Sequence, residues 1–335
     1  METVLENNTE LFNIKEYENA GINKSLQERF GVPPFSILDT KQGYWQDRKR
    51  LWLSLGIKSE LGRDCKVYKI GDAKTYLNTR AEADKRSNLN NVAVKPEWAT
   101  GTGTTNMAPG TSIFDPVLTE IMYRWFCTSN GSILDPFAGG SVRGIVASKL
   151  GYQYTGIELS SKQVEANLTQ AEVVCEDDNI ITWRYGDSNK ILEEYNKETF
   201  DFIFSCPPYY DLEVYSDLPE DLSNMPYEQF METYHSIIAK SVKLLKDNRF
   251  ACFVIADVRD KKGFYRNLVS ETINGFLKAG MKLYNEIILV NTCGSLPIRI
   301  SKQFNGGRKI GKQHQNVLVF YKGDVKFIKE NYQNL

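Results

Sequence analysis

The sequence predicts an α/β protein: a doubly wound, seven-stranded sheet preceded by an N-terminal extension. Three observations lead there. From residue 112 onward, short apolar runs alternate with segments of helical period. A glycine-rich turn, Asp135-Pro136-Phe137-Ala138-Gly139-Gly140, follows the first of those runs and opens a helical stretch. The last two runs are joined by a glycine-containing loop, which suggests a closing antiparallel hairpin.

The chain divides near residue 110, into an extension (1–110) and an α/β domain (111–335). Within the extension, Gly31-Val32-Pro33-Pro34-Phe35-Ser36 reads as an extended turn, because proline disfavours helix in the residue before it. Trp45 to Leu55 reads as a helix with a strongly basic face, ended by Gly56 or Gly62. Residues 78–110 are polar and rich in Asn, Thr and Gly, as in a long loop or arm. The expected strands are Ser132–Pro136, Tyr154–Leu159, Thr182–Tyr185, Phe200–Ser205, Phe250–Ala256, Tyr284–Val290 and Asn316–Tyr321. Helices are expected over Gly140–Leu150 and Tyr227–Lys246, where apolar residues recur at helical spacing.

Composition narrows the classes. The chain has 335 residues, with Lys+Arg 41 and Asp+Glu 42, for a formal net charge of −1. That excludes a uniformly basic binder, though not a local basic patch. No run of about 20 apolar residues occurs, so no transmembrane span is expected. The start, Met1-Glu2-Thr3-Val4-Leu5-Glu6, is acidic and does not read as a signal peptide. The six cysteines are widely spaced, with no C-x-x-C pair. Neither a disulfide framework nor a metal site is expected, and a reducing, cytoplasmic setting fits.

Three segments carry chemistry. Glycines in the turn after the first strand let the backbone bend tightly and approach a ligand. In open α/β sheets, ligands bind beyond the carboxyl ends of the strands. Glu158 ends the next strand, 23 residues after Asp135. There a carboxylate can accept from both hydroxyls of a ribose, or it can cap the helix that follows Ser160. Asp187 ends the third strand and is placed to accept from an adenine amino group. The fourth strand ends in Ser205-Cys206-Pro207-Pro208-Tyr209-Tyr210. Two prolines remove backbone donors and fix φ, which leaves neighbouring carbonyls available as acceptors. An aromatic residue follows directly. Carbonyls that hold an NH₂ and a ring that stacks suit a flat aromatic amine.

These residues resemble the S-adenosylmethionine-dependent DNA amino-methyltransferases, which modify adenine N6 or cytosine N4. Asp135 to Gly140, Glu158, Asp187 and Cys206-Pro207-Pro208-Tyr209 carry the resemblance, and Phe114-Asp115-Pro116 is similar to the Phe-containing motif that precedes the glycine loop. It covers about residues 112–323 and is closest to phage- and prophage-type modification methylases. It implies a Rossmann-like methyltransferase sheet with S-adenosylmethionine as cofactor. It also implies that Asp135, Pro136, Phe137, Ala138, Gly139 and Gly140 line the methionine moiety, that Glu158 binds ribose and that Asp187 binds adenine. Pro207, Pro208 and Tyr209 would hold a base flipped out of double-stranded DNA. The family usually has Asp, Asn or Ser before Pro-Pro, whereas here the residue is Cys206, and a thiol is a weak acceptor. Either Ser205 or the backbone carbonyls make the contact, or the target chemistry differs. A methyltransferase acting on RNA or on a protein amide, and an inactive cofactor-binding module, are the alternatives.

The near-neutral total is a cancellation. Residues 293–314 hold Arg299, Lys302, Arg308, Lys309 and Lys312 and no acid. They are expected to form a mobile loop that clamps DNA phosphates. Arg48-Lys49-Arg50, with Trp45 and Trp52, is a second candidate patch. Residues 211–232 carry seven acids and no base, a candidate lid in which Asp211, Glu213 and Tyr215 are placed to touch the base or the sulfonium.

Overall fold

A computed structural model describes residues 26–58, 61–62, 114–175, 181–210, 216–294 and 296–332. The 78–110 arm and Asp211, Glu213 and Tyr215 lie outside the described residues. The elements run α1 Leu26–Phe30, β1 Ile37–Asp39, α2 Gly43–Ser54, α3 Pro116–Phe126, β2 Ser132–Asp135, α4 Val142–Lys149, β3 Gln153–Glu158 and α5 Ser161–Val174. They continue β4 Ile181–Tyr185, α6 Ser188–Ile191, β5 Phe200–Ser205, α7 Tyr227–Leu244, β6 Leu245–Ile255, α8 Leu268–Lys278, β7 Lys282–Val290, α9 Leu296–Gly307, β8 His314–Lys322 and α10 Ile328–Asn331. The strands form one sheet in the order β1-β7-β8-β6-β5-β2-β3-β4. Among the described strands, only β8 runs antiparallel to its neighbours, β6 and β7. All seven expected strands are present, and the late hairpin closes as expected.

Helices cover both faces, and the strands show it residue by residue. Phe202 and Phe204 of β5 join one apolar cluster with α2, α3 and α4, while Ile203 joins the other with α7 and α8. In β6, Phe250, Cys252 and Val254 face the first cluster and Ala251, Phe253 and Ile255 the second. A strand buried on both faces needs apolar residues on both, which is why the Phe202-Ile203-Phe204 run of β5 reads so clearly in sequence. α3 starts where Asp115 accepts from the Val117 and Leu118 amides and Pro116 sits in the first turn.

The extension departs from expectation twice. Its residues Ile37–Asp39 are an eighth strand, parallel to β7 and in register with Ile288–Val290. Three residues with one buried side chain are too short a signal for sequence periodicity. The expected basic patch on α2 is mostly not a free surface. Trp45 and Trp52 are buried in the core. The Trp45 indole donates to Asp115 and the Trp52 indole to Glu120, at 3.3 and 2.7 Å. Arg48 forks onto both oxygens of Glu120 at 2.8 and 2.7 Å, and Lys49 reaches Asp115 at 3.0 Å. Arg50 points outward and pairs with Asp47 on its own helix. The basic spacing on α2 therefore matches the acids of α3.

The segment 293–314 is also not a loop throughout. Residues Leu296–Gly307 form a helix with no buried residue. No described helix is long and apolar enough to cross a membrane. No disulfide joins any two of the five described cysteines, Cys127, Cys175, Cys206, Cys252 and Cys293.

Candidate cofactor and acceptor site

A cleft of about 620 Å³ opens at the carboxyl ends of β2, β3 and β5. That is the size range of small-molecule sites, and it lies where open α/β sheets bind ligands. Its floor is the turn after β2. Pro136, Phe137, Ala138, Gly139 and Gly140 line it. Gly139 has φ 54°, which a side chain would strain. Gly156 on β3 lets the turn come close: a Cβ there would sit 2.8 Å from the Ala138 Cβ.

Asp135 does not line the cleft. It is fully buried beneath the turn. It accepts from Arg143 Nε at 2.5 Å, Tyr154 Oη at 2.7 Å and Ser205 Oγ at 2.5 Å. Arg143 then donates to the Phe137 and Ala138 carbonyls, both at 2.7 Å, and its guanidinium lies 4.5 Å from the Phe114 ring centre. Burial would pull the Arg143 proton off more easily, but the Asp135 charge outweighs it and holds the guanidinium charged. Burial and the Asp135 charge push the Tyr154 hydroxyl well up, so it stays protonated and donates. Asp135 thus fixes the turn from below, through Arg143 and Ser205.

Ser205 is buried in the same network. Its hydroxyl is spent on Asp135 and accepts from the Phe137 amide at 3.2 Å. It ties the end of β5 to the turn after β2. That leaves Cys206, Pro207, Pro208 and Tyr209, all of which line the cleft. The Tyr209 hydroxyl accepts from Gln315 at 2.6 Å and lies 3.7 Å from the Cys206 sulfur. Tyr209 and Phe114 border the cleft together, Phe114 standing edge-on to Phe204.

Glu158 and Asp187 both reach the cleft and both also cap backbone. Glu158 accepts from the Gly139 and Ser160 amides at 2.9 and 2.8 Å. Asp187 accepts from the Asn189 amide at 2.8 Å as the N-cap of α6. Glu158 therefore caps backbone and borders the cleft at once. Arg299, Lys302, Arg308, Lys309 and Lys312 do not line the cleft. Of the acidic segment, Glu220 and Asp221 do line it. Asp221 spends its carboxylate on Ser216 and Ser223, as the cap of a short helical turn.

Sequence reasoning missed one wall. Thr40, Gln46, Asn291, Thr292 and Gln315 line the side opposite the cofactor turn. Asn291 and Thr292 are the first polar residues after apolar β7, a position at which the strand-end rule would have found them. Gln315 gives no such signal, because β8 is antiparallel and presents its start, not its end, to the cleft.

Comparison with known proteins adds to this geometry. The model of the RNA cap guanine-N2 methyltransferases matches residues 130–248, which run from β2 into β6. The fold is that of the S-adenosylmethionine-dependent methyltransferases, and S-adenosylmethionine is its cofactor. The methyltransferase segment is 27% identical over 125 residues to the tRNA (guanine(10)-N2)-dimethyltransferase of Pyrococcus abyssi. That match covers 37% of this chain and 36% of the relative, so the chain spans about a third of that relative's length. Among solved structures, it is similar to TrmN from Thermus thermophilus, at 15% identity, 62% and 49% coverage and a TM-score of 0.41. It is also similar to a second Thermus thermophilus protein, described as a DNA modification methylase, in complex with S-adenosyl-L-methionine. There the identity is 16%, the coverage 41% and 51% and the TM-score 0.31.

The donor set fits this cofactor. A close-approach turn suits the methionine end, a carboxylate at the end of β3 suits a ribose diol, and apolar Ile157 and Leu159 flank it. Glu158→Gln should weaken S-adenosylmethionine binding by about tenfold or more, since hydrogen bonds to a charged group contribute about 1.5–3 kcal/mol. Calorimetric titration checks this, and unchanged affinity would remove Glu158 from the ribose site.

Proposed function

We propose that this protein transfers a methyl group to the exocyclic amine of a nucleic-acid base, with guanine N2 in RNA as the first substrate class. The observation that carries the reading is that Cys206, Pro207, Pro208 and Tyr209 line one cleft together with the glycine turn and Glu158. The family-model match and the curated relative favour RNA guanine over DNA. Methylation of adenine N6 or cytosine N4 in DNA is the second reading, favoured by the Phe114 ring at the cleft and the order of the motifs.

The residues divide the work as follows. An amine conjugated to its ring is a poor nucleophile. Backbone carbonyls at Cys206 and Pro207 accept hydrogen bonds from its N–H groups and draw the nitrogen towards sp³ geometry. Tyr209 stacks on the base, its ring held by Gln315. Gly139 and Glu158 hold the other partner at a fixed distance, so that positioning supplies most of the rate. S-adenosylmethionine supplies an electrophilic methyl on a positive sulfur. In this reading the Cys206 carbonyl, and not its weakly accepting thiol, takes the hydrogen bond of the amine.

Labelled S-adenosylmethionine offered with transfer RNA, capped RNA, double-stranded DNA and protein separates the readings. Label in RNA guanine is expected. Label in DNA alone would move the assignment to the second reading, and label in protein alone would overturn both. Tyr209→Ala should lower transfer at least a hundredfold while cofactor affinity stays within about twofold, because stacking contributes about 1–3 kcal/mol per base before any loss of alignment. Lost cofactor affinity in that variant would contradict the role given to Tyr209.

A further inference from the structure

We infer that α9 and the turn 257–266 together form a track for a single, unstacked nucleic-acid strand that leads into the cleft; this rests on the nucleic-acid reading above. Both segments leave the sheet at the cleft end. β6 stops at Ile255, paired with Asn316, and β7 stops at Val290, paired with His314. Gln315 lies between those pairs and holds Tyr209. The turn is tied to the acceptor wall as well: the Arg266 guanidinium lies 4.5 Å from the ring centre of Tyr210, the residue after Tyr209.

The turn meets the residues that follow α9. A Cβ on Gly263 would meet the Lys309 side chain at 2.7 Å. Lys312 lies 5.8 Å from the Tyr265 ring centre, and Arg259 lies 4.0 Å from the same ring. The turn is rigid rather than loose. Asp260 accepts from the Gly263 and Phe264 amides at 2.7 and 2.9 Å, and Arg259 donates to the Gly263 carbonyl at 2.8 Å. The one acid at its tip is thus turned inward onto backbone.

What faces water is a mixture of cations and rings, with Ile298 and Ile310 exposed beside them, and Arg308 lies 5.2 Å from the Phe304 ring centre. Phe264 is 72% exposed, Phe304 44% and Tyr265 40%. Arg299, Lys302, Arg308, Lys261 and Lys262 are exposed among them. Phosphate contact alone needs the cations and gains nothing from exposed rings, which cost free energy in water. Rings interleaved with cations are what an unstacked strand requires: bases stack on the rings while the backbone follows the charge. A base pair in a duplex offers no free face to Phe264 or Phe304. The composition of the surface therefore selects a single strand over a duplex.

The test is fluorescence anisotropy with an end-labelled RNA of about 20 nucleotides and mixed sequence, the same sequence as DNA, and its duplex, with cofactor absent; the length exceeds the roughly 4–16 nucleotides that one single-strand module covers. Wild type should bind either single strand at least tenfold more tightly than the duplex. Phe264→Ala and Phe304→Ala should each weaken single-strand binding about tenfold with the salt slope unchanged. Arg308→Ala with Lys309→Ala should flatten the salt slope. Equal affinity for duplex, or unaltered binding in both ring variants, would overturn the track. These residues are on the surface, and unchanged melting temperatures show that the variants fold. Strand binding with no methyl transfer to any substrate would leave the track standing and overturn the reaction. Transfer to nucleic acid with unaltered binding in the ring variants would do the reverse.

Discussion

Asp135→Asn is expected to destabilise the fold by about 3–5 kcal/mol and to reduce S-adenosylmethionine affinity at the same time. The side chain is fully buried against Arg143, which is 4% exposed. Removing the negative partner leaves a guanidinium with no counter-charge, and an uncompensated buried charge costs that amount. The loss reaches the ligand because Arg143 carries the Phe137 and Ala138 carbonyls of the cofactor turn. Tyr154→Phe is the internal comparison. It removes one neutral donor from the same carboxylate and should cost only about 1 kcal/mol. Urea unfolding with cofactor absent and calorimetry with it present measure the two effects. Equal stability of wild type and Asp135→Asn would mean that the turn is held by something other than this ion pair.

Glu120→Gln is the second large effect, and it is expected away from the cleft, where α2 packs on α3. Glu120 is 2% exposed and takes bonds from Arg48, Arg124 and the Trp52 indole. Burial would push its carboxyl up, but the Arg48 fork and the Arg124 charge overcome that and hold it below the ordinary carboxylate range. Neutralising it removes the buried negative charge that Arg48 and Arg124 share, at a cost of up to about 3 kcal/mol. The sign with pH follows from the depressed value. The stabilisation is present above the unfolded carboxylate pKa of about 4.3 and is lost as pH falls through the lower folded value. Wild type should therefore lose stability from about pH 5 downward, and Glu120→Gln should show a flatter acid limb. Limited proteolysis gives a separate readout: α2 should be cut faster in the variant. An acid limb as steep as that of wild type would assign the acid sensitivity to other carboxylates.

The central strands are legible in sequence because they are covered on two faces: residues 250–255 of β6 and 316–321 of β8 are buried without a break, and all but Asn316 of them are apolar. The cofactor turn is legible because close approach demands glycine. Asp135 is legible as important, but its contact is not: a motif records which residues are needed and is silent on which of them lie under the turn. Ser205 misleads for the same reason, since its partner Asp135 is 70 residues away. The basic stretch on α2 reads as a surface because its partners, Asp115 and Glu120, are 66 and 72 residues distant from Lys49 and Arg48. Charge in sequence has sign but no address.

By itself the sequence determined the sheet, its glycine turn and the Pro-Pro-Tyr wall, because local backbone chemistry sets each of them. Only the tertiary structure decided which charges are paired, that the extension adds a strand and two tryptophans to the core, and that Asn291 and Gln315 complete the cleft. Those depend on contacts between residues far apart in the chain. The formal charge of −1 contains both kinds of information: the cancellation is visible in sequence, whereas burial decides which of the charges still face water.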